Sequence, residues 1–258
     1  MKVLVTFAVE AEFAPWRGSR AFRETTLNPR HYSGGIRVRT AKIGDHEVHV
    51  FLTGMGIKRF GFEAGCCAKD AGIEAVLSSG LVGSLNPQYA ALMVIAPRRV
   101  GDLRNATGLA VSQGLLELAG QRGAAIADRL LTSDRLIKAR EEKAHLARFA
   151  DAVDMESIHV LEAFDAQQIP VVVIRAVSDG FAESMPVDFD KCLTSSGRVK
   201  TIPLLRELAL KPAKLPQLMR FGKQSTAAAR KLAKFMDEYI QALTPETLKD
   251  RVEEAIGE

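Results

Sequence analysis

The run Val171-Val172-Val173-Ile174-Arg175-Ala176-Val177 constrains the fold of this 258-residue chain more than any other feature. A strand with one wet face alternates apolar and polar residues, and this one does not, so it is buried on both faces. Lys2 to Val9, Ala75 to Leu77 and Met93 to Ala96 carry the same pattern in shorter form, as does Arg129 to Thr132. Doubly buried strands need helices above and below them, and the stretches between these runs supply candidates. One helix is expected from about Lys58 to Ala71, stopped by Gly72. A polar helix is expected from about Lys138 to Arg148, and an apolar one from Ala152 to Ala166. The predicted class is α/β: a three-layer αβα architecture around a central mixed, mainly parallel twisted sheet. A further β-rich stretch, Arg37 to Leu52, ends in Thr53-Gly54-Met55-Gly56, and Ala75 to Ser79 is expected to break into a turn at Gly80.

Composition narrows the class of protein. Hydrophobic residues make up 47% of the chain, too many for disorder. No run approaches the roughly 20 apolar residues that span a bilayer. The first residues show no signal-peptide pattern, and three cysteines, two of them adjacent (Cys66, Cys67), build no disulfide framework. A cytoplasmic location is expected. Charge is unevenly spread: from Arg198 to Lys234, ten Lys and Arg face Glu207 alone, a local +9 that leaves −5 for the rest. The chain therefore divides into a catalytic domain, 1–195, and a basic helical extension, 196–258, packed on the same domain. Pro203, Pro212 and Pro216 are expected to exclude one long helix in the extension before about Lys223.

Several chemistries lack their signatures. Gly54-x-Gly56 has no third glycine at dinucleotide-binding spacing, and neither a Walker A sequence nor a Gly-x-Ser-x-Gly elbow occurs. His46 and His49 lie three apart on a strand, where their side chains diverge, so no metal site is expected. The basic residues have no interleaved aromatics, which argues against a nucleic-acid partner. What remains is a set of carboxylates, Glu12, Glu156 and Asp179, each following or opening an element expected at one sheet edge. That edge, at the carboxyl ends of the strands, is where α/β sheets bind ligands.

Five segments in register resemble the nucleoside phosphorylase and nucleosidase superfamily, which includes purine nucleoside phosphorylases and methylthioadenosine/S-adenosylhomocysteine nucleosidases. Phe7-Ala8-Val9-Glu10-Ala11-Glu12 resembles the first strand and the water-activating glutamate of the nucleosidases. Thr53-Gly54-Met55-Gly56 resembles the turn against the ribosyl centre. Ser79-Gly80-Leu81-Val82-Gly83-Ser84 resembles the segment lining the base and anion pocket. In Asp154-Met155-Glu156 the resemblance implies a methionine under the sugar and a glutamate on its hydroxyls. In Arg175-Ala176-Val177-Ser178-Asp179 it implies an aspartate addressing the purine.

The resemblance thus implies cleavage of an N-glycosidic bond, with Glu12 and Asp179 catalytic. Met155, Glu156, Ser178, Gly54, Met55, Gly80 and Leu81 would bind substrate. Asp179, protonated at a buried strand end, would donate to purine N7. Glu156, ionised, would stabilise the cationic ribosyl ring. Leu81 stands where a serine is usual, and no arginine occurs between Ser79 and Ser84, where many phosphorylases hold phosphate. Water is thereby slightly favoured as nucleophile, with phosphate as the alternative co-substrate and no other cofactor. The basic, leucine-rich tail resembles the hopanoid-associated branch, which implies a lipid-linked adenosine and peripheral membrane contact. Small soluble nucleosides of the methylthioadenosine or futalosine type are the alternative, and a catalytically silent nucleoside-binding regulator is a third. The resemblance also implies a homo-oligomer.

Overall fold

The computed structural model describes residues 1–28, 35–55, 62–103, 108–183 and 215–248. Among the described residues, ten strands form one mixed sheet. At its centre β1 (Lys2–Phe7) lies parallel between β4 (His46–Leu52) and β5 (Ala75–Ser84). Beyond β5 comes β10 (Val171–Asp179), parallel from Val171 opposite Val76 to Asp179 opposite Gly83. Every residue of β10 is buried, as its unbroken apolar run requires. On the other side β2 (Arg23–Leu27) and β3 (Ile36–Ile43) extend the sheet as an antiparallel meander.

The far side of the sheet curls. β6 (Val94–Asp102) pairs antiparallel with β10 and parallel with β8 (Ala125–Thr132). β8 pairs with β9 (Ala152–Asp154), and β9 returns antiparallel to β5. Strands β5, β10, β6, β8 and β9 therefore close on themselves, and β7 (Leu109–Ala110) hangs on β6. Closure places the ends of β5, β9 and β10 around one opening.

Six helices cover the sheet among the described residues. They are α1 (Glu10–Ser19), α2 (Phe62–Asp70), α3 (Gln113–Gln121), α4 (Arg140–Leu146), α5 (Ser157–Asp165) and α6 (Leu215–Gln241). α2 ends as expected, with Gly72 at φ +74° and the Ile73 N–H donating to the Ala68 carbonyl. The onset expected at Lys58 lies outside the described residues. Along α6 the residues Ala228, Leu232, Phe235, Met236 and Tyr239 recur at helical spacing and are buried, while Arg230, Lys231 and Lys234 face solvent. Trp16 of α1 packs among Phe7, Phe13 and Phe22 and donates Nε1–H to Asp237 of α6 at 2.8 Å. The Tyr239 hydroxyl donates to the Leu115 carbonyl at 2.8 Å. Both buried polar tips are thereby satisfied, and both tie α6 to the sheet domain.

Four expectations are corrected. Residues 79–84 are not a turn: β5 runs through to Ser84, with the break absorbed at Gly80, φ +148°. Residues 152–154 do not open a helix. They pair with β5 and β8, and α5 begins only at Ser157, whose N–H donates to the Asp154 carboxylate at 3.2 Å. β1 ends at Phe7, so Ala8 and Val9 lead into α1. Finally, α6 starts at Leu215, because Pro216 falls in the first turn, where its missing N–H has no intrahelical partner to lose. Residues 196–214 and the tail from 249, with Pro203 and Pro212, lie outside the described residues.

Candidate active site

A cavity of about 310 Å³ opens at the carboxyl edge of β1, β5 and β10, the edge the sequence indicates. Glu12 closes one side of it. Its Oε2 accepts from the N–H groups of Ala8 (3.0 Å) and Val9 (3.3 Å), and its Oε1 accepts from Leu81 N–H (2.9 Å). Burial pushes this carboxyl above its ordinary 4.5, outweighing the downward pull of Arg175 and the three N–H donors. Gly80 is needed beside it. A Cβ there would stand 2.4 Å from Arg175 Nη1 and 3.0 Å from Glu12 Oε1, at a φ that side chains rarely adopt.

Asp179 lies on the opposite side, 2% exposed. Its Oδ1 accepts from the Ser178 hydroxyl at 2.7 Å, and its Oδ2 is held by the Lys143 ammonium. Lys143, on α4, is fully buried and also donates to the Gly180 carbonyl at 2.9 Å. The sequence places Asp179 at a buried strand end, and the structure adds a cation beside it. Gly83 packs against Asp179 as Gly80 packs against Glu12. Three residues of β5, about 10 Å of strand, separate the two contacts. The acids therefore stand apart across the cavity.

Between them, Met155 and Glu156 line the wall where β9 passes into α5. That junction is fixed by a buried hub. Arg175 pairs with Asp154 at 2.8 Å and donates to Ser79 O, Ser78 Oγ and Ser157 Oγ, while Thr132 Oγ1 donates to Asp154 Oδ1. Met55 reaches the cavity from the turn after β4, where Gly54 adopts φ +81° and donates its N–H to Ala8 O. Leu81 and Ser178 complete the expected lining. Of the residues singled out in sequence, Glu12, Met55, Leu81, Met155, Glu156, Ser178 and Asp179 line the cavity. Gly54 and Gly80, also expected to bind substrate, are not among the lining residues but precede Met55 and Leu81, which are, and Gly56 lies outside the described residues.

A sequence model of the phosphorylase superfamily matches residues 2–241, nearly the whole chain. The chain belongs to the phosphorylase superfamily. As a member, it is 25% identical over 190 residues to the aminodeoxyfutalosine nucleosidase of Campylobacter jejuni, across 62% of this chain and 79% of that one. Its fold superposes on the 5′-methylthioadenosine/S-adenosylhomocysteine nucleosidase of C. jejuni with a TM-score of 0.68. That match has 18% identity and covers 94% of this chain and all of the other. The futalosine hydrolase of Helicobacter pylori superposes equally well, at 0.68 and 19% identity, over 94% of this chain and 98% of its own.

In this superfamily member, sequence reasoning missed several contributions to the site, among them Arg135, Leu136 and Ile137 in the lining. Phe221, Ser225 and Thr226 of α6 line the cavity, and Gln224 donates to the Ser178 carbonyl and to Glu183 Oε2, both at 2.8 Å. The extension thus reaches the end of β10. Lys143 falls in the helix that the sequence marks only as polar. Its spacing of three from Leu146, also buried, was the available signal.

Proposed function

We propose that this protein hydrolyses the N-glycosidic bond of a 5′-substituted adenine nucleoside and releases adenine. The observation that carries the reading is the opposed pair of acids, Glu12 on backbone N–H donors and Asp179 on Lys143 and Ser178. Cleavage builds positive charge on the ribosyl ring and negative charge on the leaving base. Glu12 takes a proton from the attacking water, and burial makes it a stronger base than an exposed glutamate. Glu156 holds the sugar hydroxyls over Met155 and offsets the ring's charge. Asp179 delivers a proton to the base. Water is favoured over phosphate because Arg135, the cation of the described lining, is engaged by Glu142. The similarity to the C. jejuni aminodeoxyfutalosine nucleosidase supports the same reaction class.

The 5′ substituent on this reading is apolar and extended, as in a lipid-linked adenosine. Leu136, Ile137 and Phe221 line the cavity, while Leu215 and Met219 stand exposed, six and two residues before Phe221, the first cavity-lining residue of α6. Arg220 and Lys223 flank them and suit an anionic bilayer, where each cation contributes about 1 kcal/mol. The test is adenine release from adenosines bearing methylthio, short-alkyl and long-alkyl 5′ groups, with and without phosphate. Expected are free ribose product in both buffers and kcat/KM rising with alkyl length. A ribose 1-phosphate product would replace water by phosphate. Preference for the methylthio compound would indicate a small soluble substrate, and binding without adenine release would indicate a regulator.

A further inference from the structure

We propose that Lys143 acts through Asp179, holding its carboxylate at the cavity wall and supplying the proton that Asp179 passes to the leaving base. The inference rests on the hydrolase reading above and deepens it. Lys143 Nζ has no solvent contact, and its acceptors are Asp179 Oδ2 and Gly180 O. A buried ion pair is a poor way to gain stability, because apolar side chains of the same volume do as well without the cost of desolvation. A pair placed against a reaction cavity has a chemical use instead.

A second buried pair among the described residues shows the contrast. Arg175 on Asp154 is surrounded by hydroxyl groups and backbone, and a guanidinium keeps its protons at any working pH. That pair is a strut. An ammonium can release a proton, so Lys143 and Asp179 together form a unit able to give one up. The other charged groups near Asp179 among the described residues are carboxylates and bound cations. Glu12 and Glu156 face it from the cavity, Glu183 accepts from Gly180 N–H, and Arg135 is held by Glu142. Lys143 is the cation in contact with Asp179.

The step balances as follows. The C1′–N9 bond breaks and its electron pair leaves with the base. The Asp179 carboxyl gives its proton to N7, and the proton it held came from Nζ, leaving Lys143 as a neutral amine and Asp179 as a carboxylate. The attacking water leaves its own proton on Glu12. After product release, exchange through solvent moves that proton from Glu12 back to Lys143. Overall, H goes to the base and OH to the sugar.

The experiment compares two substrates with the same 5′ group, an adenine nucleoside and a 4-nitrophenyl riboside, whose phenolate leaves without a proton. Lys143→Met should cost about 10²–10⁴-fold on the adenine substrate and less than about tenfold on the nitrophenyl one. Lys143→Arg, which keeps charge but not the labile proton, should fail to restore adenine release. The doubly neutral Lys143→Met/Asp179→Asn, which leaves no unpaired buried charge, should be no slower than Asp179→Asn alone. Equal losses on both substrates, rescue by arginine, or multiplicative losses in the double variant would reduce Lys143 to a structural counter-ion. If the wild-type protein cleaves neither substrate, the hydrolase reading falls and takes this inference with it. If it cleaves both and Lys143→Met is unimpaired, only the role of Lys143 falls.

Discussion

Glu12 and Asp179 close one cavity from opposite sides, but the fold holds them by different means. Glu12 sits in the first turn of α1, and its contacts within hydrogen-bonding distance are backbone N–H groups of Ala8, Val9 and Leu81. Backbone dipoles fix a carboxylate without offering it a transferable proton. Asp179 ends a fully buried strand and meets two side chains, Ser178 and Lys143, that carry labile hydrogens. On the proposed function, one carboxyl receives a proton and the other hands one on. The division follows the rule that neighbouring acids take different tasks when their surroundings differ.

The largest test of that contrast is Glu12→Gln. It keeps size and removes the base, so kcat should fall about 10²–10⁴-fold with little change in substrate affinity. Isothermal titration with a non-cleavable nucleoside analogue separates the two effects. A loss seen only in affinity would make Glu12 a binding group and dissolve the asymmetry.

Asp179→Asn tests the other side through stability. It strands the Lys143 ammonium in a site without solvent, and removing one partner of such a pair costs about 3–5 kcal/mol. Urea unfolding should show that loss, and Lys143→Met in the same chain should recover most of it. If the single variant is as stable as the wild type, the ion pair contributes nothing to the fold at that end.

The comparison also has a pH signature. Because burial raises Glu12 above its ordinary 4.5, kcat/KM should rise with pH along an acid limb centred above that value. Linkage gives the sign for stability. A carboxyl whose folded-state value exceeds its unfolded one favours folding while protonated, fully so below about 4.5. That contribution is lost as the pH rises through the shifted value. Activity should therefore appear over the window in which this part of the stability fades, and an acid limb at or below 4.5 would contradict the buried base.

Which parts of this arrangement can be read from sequence follows from how each residue is held. β1 and β10 were legible because doubly buried strands leave unbroken apolar runs. The residues just past their ends were legible as site candidates for the same reason. β2, Arg-Glu-Thr-Thr-Leu, was not: it is an exposed edge strand with no apolar face to mark it. α1 contains Pro15 and buries only Phe13 and Trp16, so its amphipathic pattern is weak, and α3 carries glycines at both ends. β9 was hidden because Ala-Val-Asp-Met-Glu runs straight into a helix, and only pairing with β5 and β8 selects the extended form. Lys143 is the hardest case. One lysine among Arg140, Glu141, Glu142 and His145 looks solvated, and its burial is set by where α4 lands on Asp179, a contact 36 residues away.

The smallest expected effect concerns how the Asp179 end is tied to the C-terminal helix. Gln224 donates to Ser178 O and to Glu183 Oε2, and Glu183 in turn accepts from Gly180 N–H at 3.0 Å. These bonds bracket Asp179 on both sides along the chain, whereas the tie on the Glu12 side, from Trp16 to Asp237, lies one turn further along α1. Gln224→Leu keeps bulk and removes both bonds, each worth about 0.5–1.5 kcal/mol net. The half-buried position limits the loss, because water can replace part of what is removed. Adenine release should slow by no more than about tenfold, since 1.4 kcal/mol corresponds to a factor of ten. The nitrophenyl substrate, which needs no proton from Asp179, should be nearly unaffected. If both substrates slow together, Gln224 holds the cavity as a whole. If neither slows, α6 only covers the site, and the strand end keeps Asp179 in place without it.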